Sequence, residues 1–286
     1  MMDFPAGLSA LSERYDVVLC DVWGVIHNGV RSFPEACDAL TRWAETQGPV
    51  VLISNSPRPS KDVVAQLDGL GVPRSAWRGF VTSGDATRAL LAPRAGAKVW
   101  KIGPERDAPL WAGFDLTLAS PDDADFVLCS GLYDDENEVP EDYRDRLKVA
   151  ADRGLLFICA NPDRVVQRGE RLIFCAGALA DLYETLGGAV AMAGKPYAPI
   201  YDLALAEAER LLGRPVERQR VLCVGDGVIT DVKGAHDQKL PCLFIAKGIH
   251  GEKALGPDGK LDPNAVLALL EAEHLGATHA IGDLVW

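Results

Sequence analysis

The chain has 286 residues, of which 48% are hydrophobic and 24% charged, a composition typical of globular proteins and long enough for two domains. Its formal net charge of −12 argues against nucleic acid or an anionic membrane as the main partner. A bound metal ion would still permit an anionic substrate. No apolar run reaches the roughly 18 residues of a membrane-spanning helix. The start lacks a signal-peptide pattern and the seven cysteines form no CxxC pair, so we expect a cytoplasmic protein with reduced thiols.

Strand-like and helix-like segments alternate along the chain, which predicts an α/β fold with a mainly parallel sheet. In the first part, the predicted elements are a strand at about 16–21, a helix at about 34–46, a strand at about 49–54, a helix at about 60–70, a strand at about 79–82 and a helix at about 85–91. The middle part predicts strands at about 99–102, 126–129 and 155–159, with helices at about 141–152 and 178–186. The last part predicts a helix at about 199–212 and strands at about 221–224 and 242–245.

The middle of the chain begins its own series of strands and helices, so we expect an insertion. The prediction is a doubly wound, parallel-sheet core built from residues 1–84 and 191–286. A smaller α/β domain, residues 85–190, is expected to lie between these two stretches in the sequence.

Acidic residues follow two of the predicted buried strands. Asp21 ends the first strand, and Asp226 and Asp231 follow the strand at about 221–224. Open α/β sheets bind their ligands at the carboxyl ends of strands, and carboxylate oxygens are the ligands that magnesium prefers. The pattern therefore indicates a divalent-metal site, and a carboxylate there can also act as a covalent phosphoryl acceptor.

Each of these residues alone has a simpler reading. Asp21 and Asp226 are compatible with turn or helix-capping roles, and Gly225-Asp226-Gly227 resembles part of a dinucleotide-binding loop that lacks its third glycine. Ser54, which ends another predicted strand, is compatible with a helix cap, and Lys195 with a solvated surface charge. A single shared site is favoured when the residues are taken together, because they follow in the order aspartate, hydroxyl, lysine and acidic pair.

In this order and spacing, the motifs resemble the haloacid dehalogenase superfamily of aspartate-nucleophile phosphotransferases over nearly the whole chain. The resemblance implies a Rossmann-like core with an inserted cap domain between Asn55 and Lys195. Ile26-His27-Asn28-Gly29, the pair Ser54-Asn55, and Ala160-Asn161-Pro162-Asp163 are similar to subfamily IIA. That branch includes 4-nitrophenyl phosphatases, pyridoxal phosphatases and ribonucleotide monophosphatases.

The resemblance also implies roles for individual residues. Asp21 would be the nucleophile, Ser54 would hold phosphoryl oxygens, and Lys195 would neutralise developing charge. Mg²⁺ would be bound by Asp21, the Trp23 backbone carbonyl, Asp226 and Asp231. The expected substrate-binding residues are Ser54, Asn55, His27, Asn161, Asp163 and Arg164, although turn chemistry alone also explains the last three.

The chain departs from the phosphatase pattern at Trp23, where these enzymes normally carry an acid/base aspartate. Dehalogenases of the superfamily also lack that aspartate, but they lack the metal-binding acidic pattern that Asp226 and Asp231 provide here. The leading hypothesis is thus a magnesium-dependent phosphatase of a small phosphorylated metabolite. A non-catalytic binder of such a metabolite, a metal-free dehalogenase and assembly as a homodimer stay open as alternatives.

Overall fold

The structure is a computed structural model that describes residues 2–168 and 171–286. The strands are β1 (Val17–Asp21), β2 (Val50–Ser54), β3 (Gly79–Thr82), β4 (Lys98–Ile102), β5 (Thr117–Leu118), β6 (Phe126–Cys129), β7 (Leu156–Cys159), β8 (Val165–Arg168), β9 (Arg171–Phe174), β10 (Ala189–Met192), β11 (Val221–Gly225), β12 (Cys242–Ile245) and β13 (His279–Ile281). The α-helices are α1 (Pro34–Thr46), α2 (Ser60–Gly69), α3 (Ser83–Leu91), α4 (Arg144–Asp152), α5 (Ala176–Thr185), α6 (Ala198–Leu212), α7 (Lys233–Asp237), α8 (Gly251–Ala254) and α9 (Pro263–Ala272).

The chain forms two compact units. The first unit comprises the residues up to Ser54, Val64–Val81 and Tyr201–Trp286, and the second unit comprises Asn55–Val63 and Thr82–Ile200. Each unit has its own sheet and its own hydrophobic core.

The sheet of the first unit has six strands in the order β13-β12-β11-β1-β2-β3. From β1 the chain adds β2 and β3 on one side of the sheet, and it later adds β11, β12 and β13 on the other side. This is a doubly wound arrangement. The strand order therefore reverses between β1 and β11, which pair in parallel from Val17 opposite Val221 to Cys20 opposite Val224. All five residues of β1 and of β11 are buried, as expected for central strands covered on both faces.

Amphipathic helices and a short amino-terminal turn cover this sheet. Helix α1 begins at Pro34, a residue suited to the first helical turn, and buries Leu40 and Trp43. The core cluster joins these side chains to Leu8, Leu52 and other apolar residues of the strands. This packing holds the carboxyl ends of β1, β2 and β11 in fixed positions.

The second unit contains a separate five-stranded sheet in the order β10-β7-β6-β4-β5, with parallel pairing throughout. Its core contains Phe157, Tyr143 and Tyr183. A small antiparallel hairpin, β8 with β9, lies outside this sheet. The predicted α/β class with a doubly wound parallel sheet is confirmed.

Several details differ from the sequence prediction. The helix expected at about 141–152 begins as a 3-10 turn, Pro140–Tyr143, and becomes α-helical only at Arg144. The strands β5, β8, β9, β10 and β13 were not predicted. Most of these are short or exposed, so their sequences lack the buried apolar run on which the strand predictions rest. Among the described residues, no helix is both long and apolar enough to cross a membrane.

Candidate active site

Three carboxylates converge where the strand order of the first unit reverses. Asp21 is the last residue of β1, and Asp226 directly follows β11. One carboxylate oxygen from each of Asp21, Asp226 and Asp231 lies within 4.8 Å of the other two. All three residues are buried, with exposed fractions of 6%, 5% and 4%. We call Asp21, Asp226 and Asp231 the acidic cluster.

Backbone groups and glycines hold Asp226 in place. Its Oδ2 accepts a hydrogen bond of 2.7 Å from the backbone N–H of Ile249. Two glycines pack directly on the carboxylate: a β-carbon would lie 2.2 Å from Oδ2 at Gly24 and 2.0 Å from it at Gly248. Gly24 also has a φ of +88°, a left-handed conformation that glycine adopts readily. A side chain at either position would displace the carboxylate.

Asp231 is presented by a single π-helical turn, Val228–Val232. Its backbone N–H donates to the Gly227 carbonyl oxygen, and its Oδ2 accepts from the Gly227 N–H at 3.0 Å. Such π turns are rare and frequently occur at functional sites. The turn points the carboxylate back toward the end of β11, as the short approach of Asp231 to Gly225 also shows.

The donor set of the acidic cluster fits a hard divalent cation. Three buried carboxylates at this separation repel one another, and a cation would offset both the repulsion and the loss of hydration. Oxygen-only donors are what Mg²⁺ and Ca²⁺ prefer, and no thiol or imidazole belongs to the cluster. The arrangement can therefore bind a divalent cation beside the nucleophile candidate Asp21.

The turn after β1 places an aromatic pair beside the cluster. The half-buried Trp23 makes an edge-on contact with His27, with ring centroids 5.1 Å apart and an interplanar angle of 75°. Nδ1 of His27 accepts a hydrogen bond of 3.0 Å from the Gly29 N–H. Burial lowers the pKa of His27 from 6.5 to about 4, so the imidazole is neutral at pH 7.

Ser54 ends β2, the strand next to β1. Asp21 is opposite Ile53 in the parallel register, so Ser54 lies one residue beyond the level of the carboxylate. The residue is partly buried. Its hydroxyl is thus on the same carboxyl edge of the sheet as Asp21.

In the second unit, Asn55 organises a group of predicted site residues. Its side-chain Nδ2 donates to Asp163 Oδ1 at 2.8 Å and to the Lys195 carbonyl oxygen at 3.1 Å. Its Oδ1 accepts from the Lys195 backbone N–H at 2.7 Å. Lys195 is 3% exposed, and Gly194 approaches Asn55 so closely that a β-carbon there would lie 2.6 Å from Oδ1. The amide of Asn55 therefore fixes the backbone on which Lys195 is carried.

The loop after β7 contributes the remaining predicted residues. Asn161 is buried, and its Oδ1 accepts a hydrogen bond from the Asp163 N–H at 3.1 Å. The exposed Arg164 forms a two-point ion pair with Asp181 on α5, with distances of 2.6 and 3.0 Å. Asn161 and Asp163 thus belong to the Asn55 network, whereas the Arg164 guanidinium contacts a helix.

The groups that hold the acidic cluster were not predicted from the sequence. Gly24, Gly248 and the Ile249 N–H all contact Asp226, and Gly194 performs a similar packing role beside Asn55. A glycine soon after a predicted strand was the available signal, because such positions often need a close backbone approach. The signal is weak, since many glycines follow strands only to form turns.

A cavity of about 680 Å³ in the first unit lies away from this chemistry. Its walls include Arg14, Tyr15, Arg220 and Thr278, which lie at or before the amino ends of β1, β11 and β13. The acidic cluster is at the carboxyl edge of the same sheet. The cavity and the acidic cluster therefore lie at opposite edges of the sheet.

Comparison with known proteins agrees with this geometry. Residues 18–117 match a family model described as haloacid dehalogenase-like hydrolase, and residues 192–272 match a second model described as HAD-hydrolase-like. The crystal structure of a haloacid dehalogenase-like hydrolase from Brucella suis 1330 is 45% identical, with a TM-score of 0.87 over 99% of this chain and 100% of that one.

Two curated relatives are phosphatases by name. The 5'-nucleotidase YutF of Bacillus subtilis (strain 168) is 26% identical over 91% of this chain and 98% of its own length. The ribonucleotide monophosphatase NagD of Escherichia coli (strain K12) is 26% identical over 81% of this chain and 88% of its own length. The two family-model matches include both strand ends that carry the acidic cluster, and with the 45% identity to the Brucella suis protein they show that the chain belongs to the haloacid dehalogenase-like hydrolase family.

Proposed function

We propose that the protein is a magnesium-dependent phosphatase of a small phosphorylated metabolite. The observation that carries the proposal is the acidic cluster, with three buried carboxylates within 4.8 Å at the switch point of a doubly wound sheet. The phosphatase names of the two curated relatives support the same reaction class.

In this proposal Asp21 attacks the phosphorus atom. A bond forms between a carboxylate oxygen and phosphorus, the ester P–O bond breaks, and the alcohol oxygen leaves and takes up a proton. Water then attacks the aspartyl-phosphate, which releases inorganic phosphate and restores Asp21. The reaction is thereby divided into two displacements. In the first, the nucleophile is a fixed carboxylate instead of a water molecule.

Asp21, Asp226, Asp231 and the Trp23 backbone carbonyl are the proposed ligands of Mg²⁺. The ion would supply positive charge that reduces the repulsion between the nucleophile and the phosphoryl group. Ser54 is proposed to donate to a phosphoryl oxygen, and Lys195 to neutralise charge that develops during transfer. The Asn55 hydrogen bonds to the Lys195 backbone support a positioning role for Asn55.

The proton for the leaving alcohol needs a different source from that in most related phosphatases. The usual acid/base aspartate is replaced by Trp23, and an indole cannot take that role at neutral pH. Leaving groups that depart without protonation, such as 4-nitrophenolate, should therefore react best. A cytoplasmic location is also proposed, supported by seven buried free cysteines.

The metal-free dehalogenase is the less favoured function. A carbon–halogen hydrolase needs the nucleophile but gains nothing from two further buried carboxylates beside it. A non-catalytic binder of a phosphorylated metabolite would retain the acidic cluster and bind ligand without turnover.

Phosphate and halide release distinguish these functions. We expect phosphate from 4-nitrophenyl phosphate in the presence of Mg²⁺, loss of that activity with a chelator, and its recovery when Mg²⁺ is added back. Asp21→Asn should abolish turnover while the melting curve stays cooperative. Halide release from a 2-haloacid that resists the chelator would instead identify a dehalogenase. Metal-dependent ligand binding with no product from any ester would identify a binder.

A further inference from the structure

The cavity at the amino edge of the six-stranded sheet has no part in the proposed reaction. It measures about 680 Å³ and lies where the chain enters β1, β11, β12 and β13, which are four neighbouring strands. All the residues that line it belong to the first unit. The five residues of β1 separate it from the acidic cluster, a length of about 16 Å. An occupant of this cavity would therefore be a second ligand, distinct from a substrate at Asp21.

Three cationic residues from separate segments line the cavity. Arg14 precedes β1, Arg220 precedes β11, and Lys239 lies between α7 and β12. Among the described residues that line it, only Glu13 carries a carboxylate. Three positive charges and one negative charge are the reverse of the balance in the whole chain, whose formal net charge is −12. The lining of the cavity therefore suits an anion.

Ion pairs hold the two guanidinium groups in place. Nη1 of Arg14 donates to Asp3 Oδ2 at 3.0 Å, and Nη2 of Arg220 donates to Asp16 Oδ1 at 2.5 Å. Neither aspartate lines the cavity, and Asp16 also accepts from Arg214, which shares its charge between two guanidinium groups. A guanidinium has five N–H donors, and these two side chains are 48% and 41% exposed, so donors remain for a ligand. Because the ion pairs already restrict both side chains, an anion that binds them loses less conformational entropy.

Lys239 has a backbone conformation that lysine rarely adopts. Its φ is +57°, two residues after α7 ends at Asp237, a position where glycine or asparagine is usual. Its N–H donates to the His236 carbonyl oxygen, and its own carbonyl oxygen accepts from Gln219 Nε2 at 3.3 Å. The side chain is exposed, and its ammonium group forms no ion pair with any residue that the structure describes. The turn therefore holds a cation at the cavity without a carboxylate partner.

The remaining lining offers a hydroxyl and apolar surface. Thr278 Oγ1 accepts a hydrogen bond from the Cys242 N–H at 3.2 Å, so the hydroxyl proton can be donated to a ligand. Leu240 and Pro241 also line the cavity. An anion with a carbon framework would thus meet both polar donors and apolar side chains.

The same groups argue against other classes of ligand. A cation would be repelled by the three positive charges, and an uncharged apolar ligand would displace water from the guanidinium groups without replacing its hydrogen bonds. The net charge of −12 argues against a nucleic acid. Cations from three segments match a molecule with several negative charges better than a single small ion. Guanidinium groups bind phosphate and carboxylate in the same two-point geometry.

We propose that this cavity binds a small organic polyanion, a molecule with two or more phosphate or carboxylate groups, through Arg14, Arg220 and Lys239. The site is additional to the acidic cluster, and the inference does not depend on the proposed phosphatase activity. Phosphate and carboxylate compounds share the chemistry that these residues recognise, so the test includes one probe of each kind.

Calorimetric titration of the full chain tests the proposal with methylenediphosphonate and with propane-1,2,3-tricarboxylate. The P–C–P bridge of the first probe resists hydrolysis of the kind that a phosphatase performs. Divalent metal is removed beforehand with a chelating resin, because a dissolved chelator is itself a polyanion. Without a bound cation the acidic cluster repels anions, so it does not contribute to the binding. We expect one bound molecule per chain and an affinity that falls as the salt concentration rises.

Variants of Lys239 assign the binding to the cavity. Lys239→Gln should raise the Kd of the bound probe by about tenfold, as expected for loss of a charge-assisted contact. Lys239→Gly removes the same charge and places glycine at a positive φ, so it should lose affinity while its melting temperature is unchanged or higher. The matched control is Lys260→Gln, which removes one positive charge from an exposed residue of the same unit outside the cavity. This control should keep the wild-type Kd.

The two probes also identify the source of the anionic groups. Binding of the diphosphonate alone indicates a phosphorylated ligand, binding of the tricarboxylate alone indicates a polycarboxylate, and binding of both indicates a general polyanion site. If the wild-type protein binds neither probe, or if Lys239→Gln and Lys260→Gln change the Kd equally, the proposal is wrong. Phosphate release from 4-nitrophenyl phosphate is measured separately, so its absence would end the proposed function and leave this test intact.

Discussion

Gly248 packs so closely on Asp226 that a β-carbon at this glycine would lie 2.0 Å from the carboxylate Oδ2 and 2.2 Å from the Asp226 β-carbon. Gly248→Ala should therefore push Asp226 out of the acidic cluster. We expect the affinity for Mg²⁺ to fall by about tenfold or more, which corresponds to about 1.4 kcal/mol, in calorimetric titrations. The matched control is Gly282→Ala, since a β-carbon at Gly282 meets nothing within 4 Å. Equal Mg²⁺ affinity in both variants would remove Asp226 from the ligand set.

Charge removal within the acidic cluster should have opposite effects with and without metal. In chelator, Asp226→Asn relieves repulsion among three buried carboxylates and keeps an acceptor for the Ile249 N–H. We expect its melting temperature to rise by about 2 °C, or about 1 kcal/mol of unfolding free energy for a chain of this size. With saturating Mg²⁺ the wild-type protein should gain stability and the variant should gain little. A lower melting temperature in chelator would show that repulsion among the carboxylates does not limit the stability of the metal-free protein.

Trp23 distinguishes a phosphatase with a missing acid/base group from a binding protein. Trp23→Asp should raise kcat for an alkyl phosphate by roughly tenfold, part of the roughly 10² to 10⁴ that general acid–base catalysis provides. The rise for 4-nitrophenyl phosphate should be smaller, because 4-nitrophenolate leaves without a proton. Loss of a packed indole can cost about 3–5 kcal/mol, so the melting curve must be measured first.

Trp23→Asn is the control for the Trp23→Asp experiment, since it makes a similar change in size without a titratable group. If both substitutions give the same rates, the carboxyl at position 23 has not restored acid–base catalysis. Gly29 offers an additional check: a β-carbon there would lie 2.4 Å from Cη2 of Trp23. Gly29→Ala should therefore be better tolerated after Trp23→Asp than in the wild-type protein.

The buried His27 should make stability depend on pH in a defined direction. Its folded pKa of about 4 lies below the unfolded value of 6.5, so protonation favours the unfolded state. The contribution of His27 to the free energy of unfolding should be fully present above pH 6.5. It should decline by up to roughly 3 kcal/mol as the pH falls toward 4. Denaturant unfolding of His27→Gln should show a shallower decline over this range. A wild-type slope in His27→Gln would contradict the assignment.

Sequence patterns predicted the central strands well because these strands are buried on both faces and read as continuous apolar runs. The acidic residues at the ends of β1 and β11 were predicted to lie together for the same reason, since the carboxyl ends of parallel strands share one edge. The roles of Asp21, Ser54 and Lys195 remain predictions until the variants are measured.

Other features required coordinates. The approach of Gly24 and Gly248 to Asp226 joins positions far apart in the sequence, and no local pattern encodes it. The hydrogen bonds from Asn55 to Asp163 and Lys195 likewise connect distant segments. The sequence also carries no signal that residues 55–63 group with the second unit. Tertiary packing determines these contacts, and local sequence propensity does not predict them.

The pairing of β1 with β11 has a consequence for synthesis on the ribosome. Val17 pairs with Val221. In the middle of the six-stranded sheet, β1, the first of its strands to be synthesised, therefore lies beside β11, one of the last three. The second sheet draws all its strands from Lys98–Met192 and can form while the remainder is still being translated. Until Val221–Gly225 emerges, the nascent chain carries an apolar strand with one open edge, which is a template for misassembly. Chaperone dependence and loss of soluble yield at high expression rates should therefore originate in the unit that holds the acidic cluster.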